Sequence, residues 1–224
     1  MGGDLGRFVL SPTCSDVVSM ALMVYSIPRV ILKVEALAVF PGLGEYQRVK
    51  DATTWWQNGS GDYLFIAGIN PNEKTWRSLD ARQLAEEPFF LSRRLQHVKS
   101  QIYAANTKEQ AEWIYQCAVT YNIHSIALFA SPFHCLRAYL TLLKTCIAHG
   151  KSDIILVPAP TPISPTRLIP ENQKSAWDLV PGEVQRIIDY QKKGDVATQE
   201  ELTRYLQWLW EQSFMGDGEV KCDV

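Results

Sequence analysis

The chain has 224 residues and a formal net charge of −2, with 46% hydrophobic and 21% charged residues, the composition of one globular domain able to bury a core without disulfides. No basic block occurs anywhere, which excludes nucleic acid as an expected partner on electrostatic grounds. Cys14, Cys117, Cys135, Cys146 and Cys222 form no C-x-x-C pair, which argues against a disulfide framework or structural zinc and for reduced thiols in a cytoplasmic protein.

Residues 17–27 are apolar, but Pro28, Arg29, Lys33 and Glu35 follow closely. A membrane span needs about 20 apolar residues, so none is expected. Asp4 stands before the run and no clear cleavage site follows it, which speaks against a signal peptide. The segment reads as a helix over 15–26, with Ser15 as N-cap and Val17, Ala21, Val24 and Tyr25 on its inner face.

An apolar run at 35–40 predicts a buried strand, followed by the turn Pro41-Gly-Leu-Gly44 and a helix over 45–57. Tyr46, Val49, Thr53 and Trp56 fall at helical spacing there. Asn58-Gly-Ser-Gly61 ends that helix, and 63–67 is a second buried strand closed by Gly68. Asn70-Pro-Asn72 reads as a loop, 79–95 as a helix interrupted by Pro88, and 101–105 as a short strand.

Two capping boxes overlap at the next helix start: Thr107 with Gln110, and Asn106 with Glu109. Ala111, Ile114, Tyr115 and Ala118 then form its apolar stripe. A strand over 125–130 runs into Ser131-Pro132, the pairing of N-cap and first helical residue. That helix extends to about residue 149, with Phe133, Leu136, Leu140 and Leu143 on its core face and Gly150 behind it. A strand over 153–157 follows, then a stiff proline-rich loop over 158–165. A helix over 181–193 ends at Gly194, and a capping box of Thr198 and Glu201 opens a last helix over 199–213. Leu202, Leu206 and Leu209 line one side of it, while Trp208 and Trp210 lie beyond that stripe and suit a homodimer or partner surface.

Strands and helices alternate, and the strands are apolar throughout rather than at every second position. That pattern predicts a three-layer α/β domain spanning 1–224, with a mainly parallel five-stranded sheet and helices on both faces. Ligands of such sheets sit at the carboxyl ends of the strands, where helix N-termini favour anions.

Four segments resemble the YdcF/SanA/ElyC-like proteins, a bacterial family with a Rossmann-like domain and mostly undefined biochemistry. Phe40-Pro-Gly-Leu-Gly44 with Arg48 and Ala52 looks like the family's first strand, glycine turn and Arg-x-x-x-Ala helix. Phe65-Ile-Ala-Gly68 is similar to its second strand, and Asn106-Thr-Lys-Glu-Gln-Ala111 to its Asn-Thr-x-Glu-Asn-Ala element. Ser131-Pro-Phe-His-Cys-Leu-Arg-Ala138 is close to Ser-x-x-His-x-x-Arg-Ala, the most specific of the four. The resemblance covers about residues 35–195. It departs after Gly68, where Ile69-Asn-Pro-Asn72 replaces the family's further glycine and acidic-alanine pair. Several relatives carry an N-terminal membrane anchor, and one member is associated with S-adenosylmethionine. The resemblance implies a small anionic ligand, of the nucleotide or S-adenosylmethionine class, at the strand ends.

The candidate ligand-binding residues are Gly42, Gly44, Arg48, Asn106, Thr107, Glu109, Ser131, His134 and Arg137. Gly42 and Gly44 suit either a plain strand–helix turn or close backbone approach to a ligand. Gln47 stands where a dinucleotide fingerprint has its third glycine. Arg48 is either a solvated surface charge or a fork for phosphate or carboxylate. His134 and Arg137 share a helix face, and the dipole at the helix start favours neutral His134. Either they cap and pair structurally, or His134 is a general base and Arg137 supplies charge. Thr107 and Glu109 serve a helix cap or a ligand, with Glu109 able to orient Arg137 or Arg48. Glu45 is the other candidate acid. Cys135 points about 100° from His134 around the helix and forms no dyad with it. No two histidines share a local motif and no Asp cluster appears, so no metal site is expected. Catalysis, if present, would be phosphate-ester transfer or hydrolysis. The alternatives are a non-catalytic regulatory or protein-interaction module on the same fold, and an envelope enzyme acting on a sugar- or lipid-linked phosphate.

Overall fold

The computed structural model describes residues 13–27, 33–42, 46–70, 95–169 and 173–214, with 83, 86, 87 and 90 between them. Five strands form one parallel sheet: β1 (Val34–Val39), β2 (Gly61–Ile66), β3 (Val98–Ser100), β4 (Ser125–Ala130) and β5 (Ile155–Pro160). Their order is β3-β2-β1-β4-β5. The chain therefore moves outward from β1 to β3, then crosses to the other side of β1 for β4. The carboxyl ends of β1 and β4 lie side by side where the order reverses, the place where open α/β sheets bind ligands.

Side-chain alternation divides the core into two layers. Ala36, Ala38 and Phe40 of the β1 segment face one layer with Ile126, Leu128 and Ala130 of β4. Leu37 and Val39 face the other with Ala127 and Phe129. The first layer is covered by α1 (Cys14–Tyr25), α3 (Thr107–Thr120), α4 (Pro132–Ala148), α5 (Ala176–Lys193) and α6 (Gln199–Phe214). The second is covered by α2 (Tyr46–Gln57), whose Val49, Ala52 and Trp56 pack onto the sheet. This is the Rossmann-like arrangement of helices on both faces. No helix among the described residues is long and apolar enough to cross a membrane.

Several boundaries differ from the sequence expectations for physical reasons. Thr13 rather than Ser15 caps α1, because Thr13 and Asp16 form a complete capping box. Tyr25 is exposed rather than inward, its hydroxyl donating to the Pro132 carbonyl at 3.2 Å. At α3 Asn106 is the N-cap and accepts from the Glu109 N–H, but the box is not closed, because the Glu109 carboxylate accepts from the Ala105 N–H instead of that of Asn106. The strand expected at 101–105 is instead β3, three residues earlier, with one isolated bridge from Ile69 to Tyr103. β5 extends through Pro158 and Pro160 rather than ending at 157. It is an edge strand, and Thr161 donates its N–H to Ala130. The alternate nitrogens at 158 and 160 thus face away from β4, so proline forfeits no ladder bond. α5 begins at Ala176, five residues before the expected start, because Ser175 caps it by accepting from the Asp178 N–H. Pro181 lies inside the helix. Gly194 ends it in the left-handed conformation at φ 76°. Leu168–Ile169 (β6) and Lys174–Ser175 (β7) form a small antiparallel pair before α5. The helix expected over 79–95 lies largely outside the described residues.

α6 is anchored on the sheet through Tyr205. Its hydroxyl donates to the Ile154 carbonyl at 3.0 Å and accepts from the Leu156 N–H at 2.7 Å. Trp208 packs against the core beside Tyr205, whereas Trp210 is exposed.

Gly68, just past β2, lets the chain at 103–104 close over the strand ends. A Cβ there would stand 2.5 Å from the Tyr103 carbonyl carbon and 2.8 Å from the Ala104 nitrogen. Gly182 in α5 has nothing within 4 Å of that position. Gly68→Ala is expected to cost about 1–3 kcal/mol by overpacking against rigid backbone, whereas Gly182→Ala should add about 0.5–1 kcal/mol through helix propensity. Denaturant unfolding of both variants checks the opposite signs.

Candidate functional site

Arg48, on the first turn of α2, turns back toward the sheet. Its Nη1 donates to the Phe40 carbonyl and its Nε to Ser131 Oγ, both at 2.8 Å. One guanidinium therefore staples the end of β1 to the end of β4, and it is buried. The surface-charge alternative for Arg48 does not apply. Ser131 stands at the N-cap position of α4 but makes no side-chain cap, because its hydroxyl serves Arg48.

The start of α4 offers fewer backbone donors than a free helix terminus. Pro132 has no N–H, and the N–H groups of His134 and Cys135 both donate to the Ser131 carbonyl. Of the first four helical residues, Phe133 alone keeps an N–H outside those bonds. The polar character of this end of the sheet therefore comes from side chains more than from the helix end.

Those side chains are His134, Arg137 and one residue absent from the sequence-based candidates, Glu183 of α5. Arg137 grips the Glu183 carboxylate with two bonds, Nε to Oε2 at 2.6 Å and Nη2 to Oε1 at 3.2 Å. Its Nη1 donates to Thr107 Oγ1 at 2.9 Å. Arg186 adds a bond to Oε1 at 2.6 Å, and His134 Nδ1 lies 3.4 Å from Oε2. Burial works against the ionised Glu183 carboxyl, but hydrogen bonds from His134 and Arg137 and the Arg137 charge outweigh it and hold the group well below the usual carboxylate range. Burial, followed by the Arg137 charge, pushes the His134 imidazole down to about 4.

His134 is thus neutral near pH 7. Its contribution to Glu183 is a hydrogen bond from Nδ1–H rather than a charge. That tautomer leaves Nε2 as the ring's acceptor. Arg137 uses three of its five N–H groups on Glu183 and Thr107, which leaves two outside those bonds. Two guanidiniums, Arg137 and Arg186, meet one carboxylate, so this cluster keeps positive charge.

These groups border a cleft of about 180 Å³ at the strand ends. Gly42, Arg48, Asn106, Thr107, His134 and Arg137 of the expected set line it, together with Asn70, Gln110, Phe133, Glu183 and Arg186. Ser131 supports it from behind through Arg48. Glu109 does not line it. Its Oε2 accepts from the Ala105 N–H at 2.8 Å and its N–H donates to Asn106 Oδ1 at 3.0 Å, so it caps α3. The role of orienting Arg137 belongs to Glu183. Gly44 and Glu45 lie outside the described residues.

Gln110 is a second residue outside the sequence-based candidates. It is buried, and its Nε2 donates to the Gly68 carbonyl at 2.7 Å and to the Pro41 carbonyl at 3.4 Å, joining the ends of β2 and β1. Glu183 did leave a signal: Leu179, Glu183 and Ile187 are spaced by four, which puts an acid inside an apolar stripe. A buried acid demands a partner.

The depressed His134 pKa has a consequence for stability. Unfolding returns the imidazole to its ordinary value of 6.5, so between about 6.5 and 4 the unfolded chain binds the extra proton. The His134 contribution is fully present above pH 6.5 and declines as pH falls through that window. Unfolding free energies measured from pH 7.5 to 4.5 should fall more steeply for the wild type than for His134→Gln. The difference should reach roughly 2–3 kcal/mol.

Among known proteins, the chain matches no family model and no curated protein.

Proposed function

We propose that this cleft binds a small anionic ligand through a phosphate or similar group. The observation that supports the reading most is the remaining donor pair of Arg137, held in place by Glu183 and Thr107 beside a neutral His134. A guanidinium fixed in this way loses little entropy on binding and presents a fork that matches phosphate. Asn106 and Asn70 add neutral polar edges to the same cleft. The family resemblance adds nucleotides and S-adenosylmethionine as the molecules of first interest. If the bound group is a phosphate ester, His134 Nε2 is the acceptor for the proton of an attacking water or hydroxyl, and Arg137 stabilises charge growing on the phosphoryl oxygens. The alternative is a non-catalytic regulatory module in a cytoplasmic protein, using the same cleft only to sense its ligand.

The test is a thermal-shift panel of nucleotides, S-adenosylmethionine, sugar phosphates and inorganic phosphate against the wild type and Arg137→Lys. Lysine keeps a cation for the buried Glu183 but removes the fork. A ligand at 100 times its dissociation constant adds about 2.7 kcal/mol, which for a domain of this size raises Tm by roughly 5–10 °C. Arg137→Lys should weaken binding by about 10–100-fold, the worth of a hydrogen bond to a charged group. A flat panel with both proteins folded would remove the ligand reading and leave a protein-interaction role.

A further inference from the structure

The cleft at the strand ends has an apolar neighbour across Glu183. Phe133 and Glu183 border it on one side and, on the other, border a second cavity of about 360 Å³ between α1, α5 and the start of α4. This second cavity is an apolar groove. Val18 and Tyr25 of α1, Trp177 and Val180 of α5, and Ile163 and Pro165 of the preceding loop form its walls. Val18 is 57% exposed and Trp177 71% exposed, and they line the same cavity, so they belong to a shared apolar surface of the kind that marks an interaction site rather than to scattered surface residues.

We propose that the groove holds the hydrocarbon chain of a single-chain amphiphile whose phosphate head occupies the cleft, so that the ligand is an alkyl phosphate monoester. This rests on the anion-binding reading above and narrows it. The occupant is argued from adjacency: Phe133 and Glu183 are a wall common to the cleft and the groove. A molecule whose charged end meets Arg137 must send its remainder somewhere, and across the Phe133–Glu183 wall lies an apolar surface. A nucleobase fits this surface poorly. Its ring edges carry several donors and acceptors, and the groove walls present aliphatic and aromatic carbon with almost no groups to pair them. Buried without partners, those edges cost more than the ring surface gains. A methylene chain has no such groups and gains with each carbon placed in the groove.

The experiment is calorimetric titration of the full chain with methyl, butyl, hexyl and octyl phosphate, each as a monomer in solution. Affinity should rise by about two- to fourfold per methylene buried, the exponential of up to about 0.8 kcal/mol per group, until the groove is filled. Trp177→Ala should flatten that dependence on chain length. Arg137→Lys should weaken every member by a similar factor. Octyl phosphate binding no tighter than methyl phosphate would overturn the proposal while leaving the anion cleft intact. Octanol binding as tightly as octyl phosphate would also overturn it, since the head would then contribute nothing. Absence of binding by every phosphate would overturn the anion reading itself. Association with vesicles containing phosphatidic acid, without binding of monomeric octyl phosphate, would assign the groove to a membrane surface instead and overturn the single-molecule ligand.

Discussion

A carboxylate taken out of water must be paired, and the pairing of Glu183 organises one side of this protein. α5 carries the acid, α4 carries Arg137 and His134, and α3 contributes Thr107 through Arg137. Three helices that meet over the same face of the sheet are thereby held at one polar point. Removing Arg137 alone would leave a buried charge without its main partner, which typically costs several kcal/mol. The same requirement explains why the guanidinium is rigid, while the imidazole beside it stays neutral through its own burial and the Arg137 charge, against the pull of Glu183. Stability and site geometry share one cause here.

A second guanidinium performs the matching task on the sheet itself. Arg48 bonds the carbonyl after β1 and the hydroxyl after β4, so the two strand ends at the topological reversal are fixed to each other. Gln110 repeats the device between β1 and β2. The cleft floor is therefore built from side-chain bonds to backbone carbonyls. This differs from a phosphate loop made of glycine N–H groups. The start of α4 shows the difference directly, since proline and the bonds to the Ser131 carbonyl use up most of its donors.

Much of the architecture was legible in the sequence because it depends on local periodicity. The unalternating apolar runs of β1 and β4, the stripes of α3 and α4, and the Ser131-Pro132 start each carry their signal within a few residues. Boundaries were less legible where two local signals competed. Proline at 158 and 160 reads as loop until β5 is known to be an edge, and Pro181 reads as a helix start until the Ser175 cap is seen to act earlier. Arg48 and Glu109 illustrate the same limit at the site. Both are charged residues on the first turn of a helix, yet one is buried as a staple and the other spends its carboxylate on a cap.

Hydrophobic spacing and helix-start residues are short-range properties, so the layered α/β class, the parallel strands and the segment beginning at Ser131 can be read along the chain. The acid that meets Arg137 is set by packing. Glu183 lies 46 residues farther along the chain, and although its place between Leu179 and Ile187 marks it as a buried acid, no local spacing names Arg137 as its partner. The packing of α5 across α4 makes the choice. It also sets the cleft and the apolar groove side by side, a relation between surfaces that no single element carries.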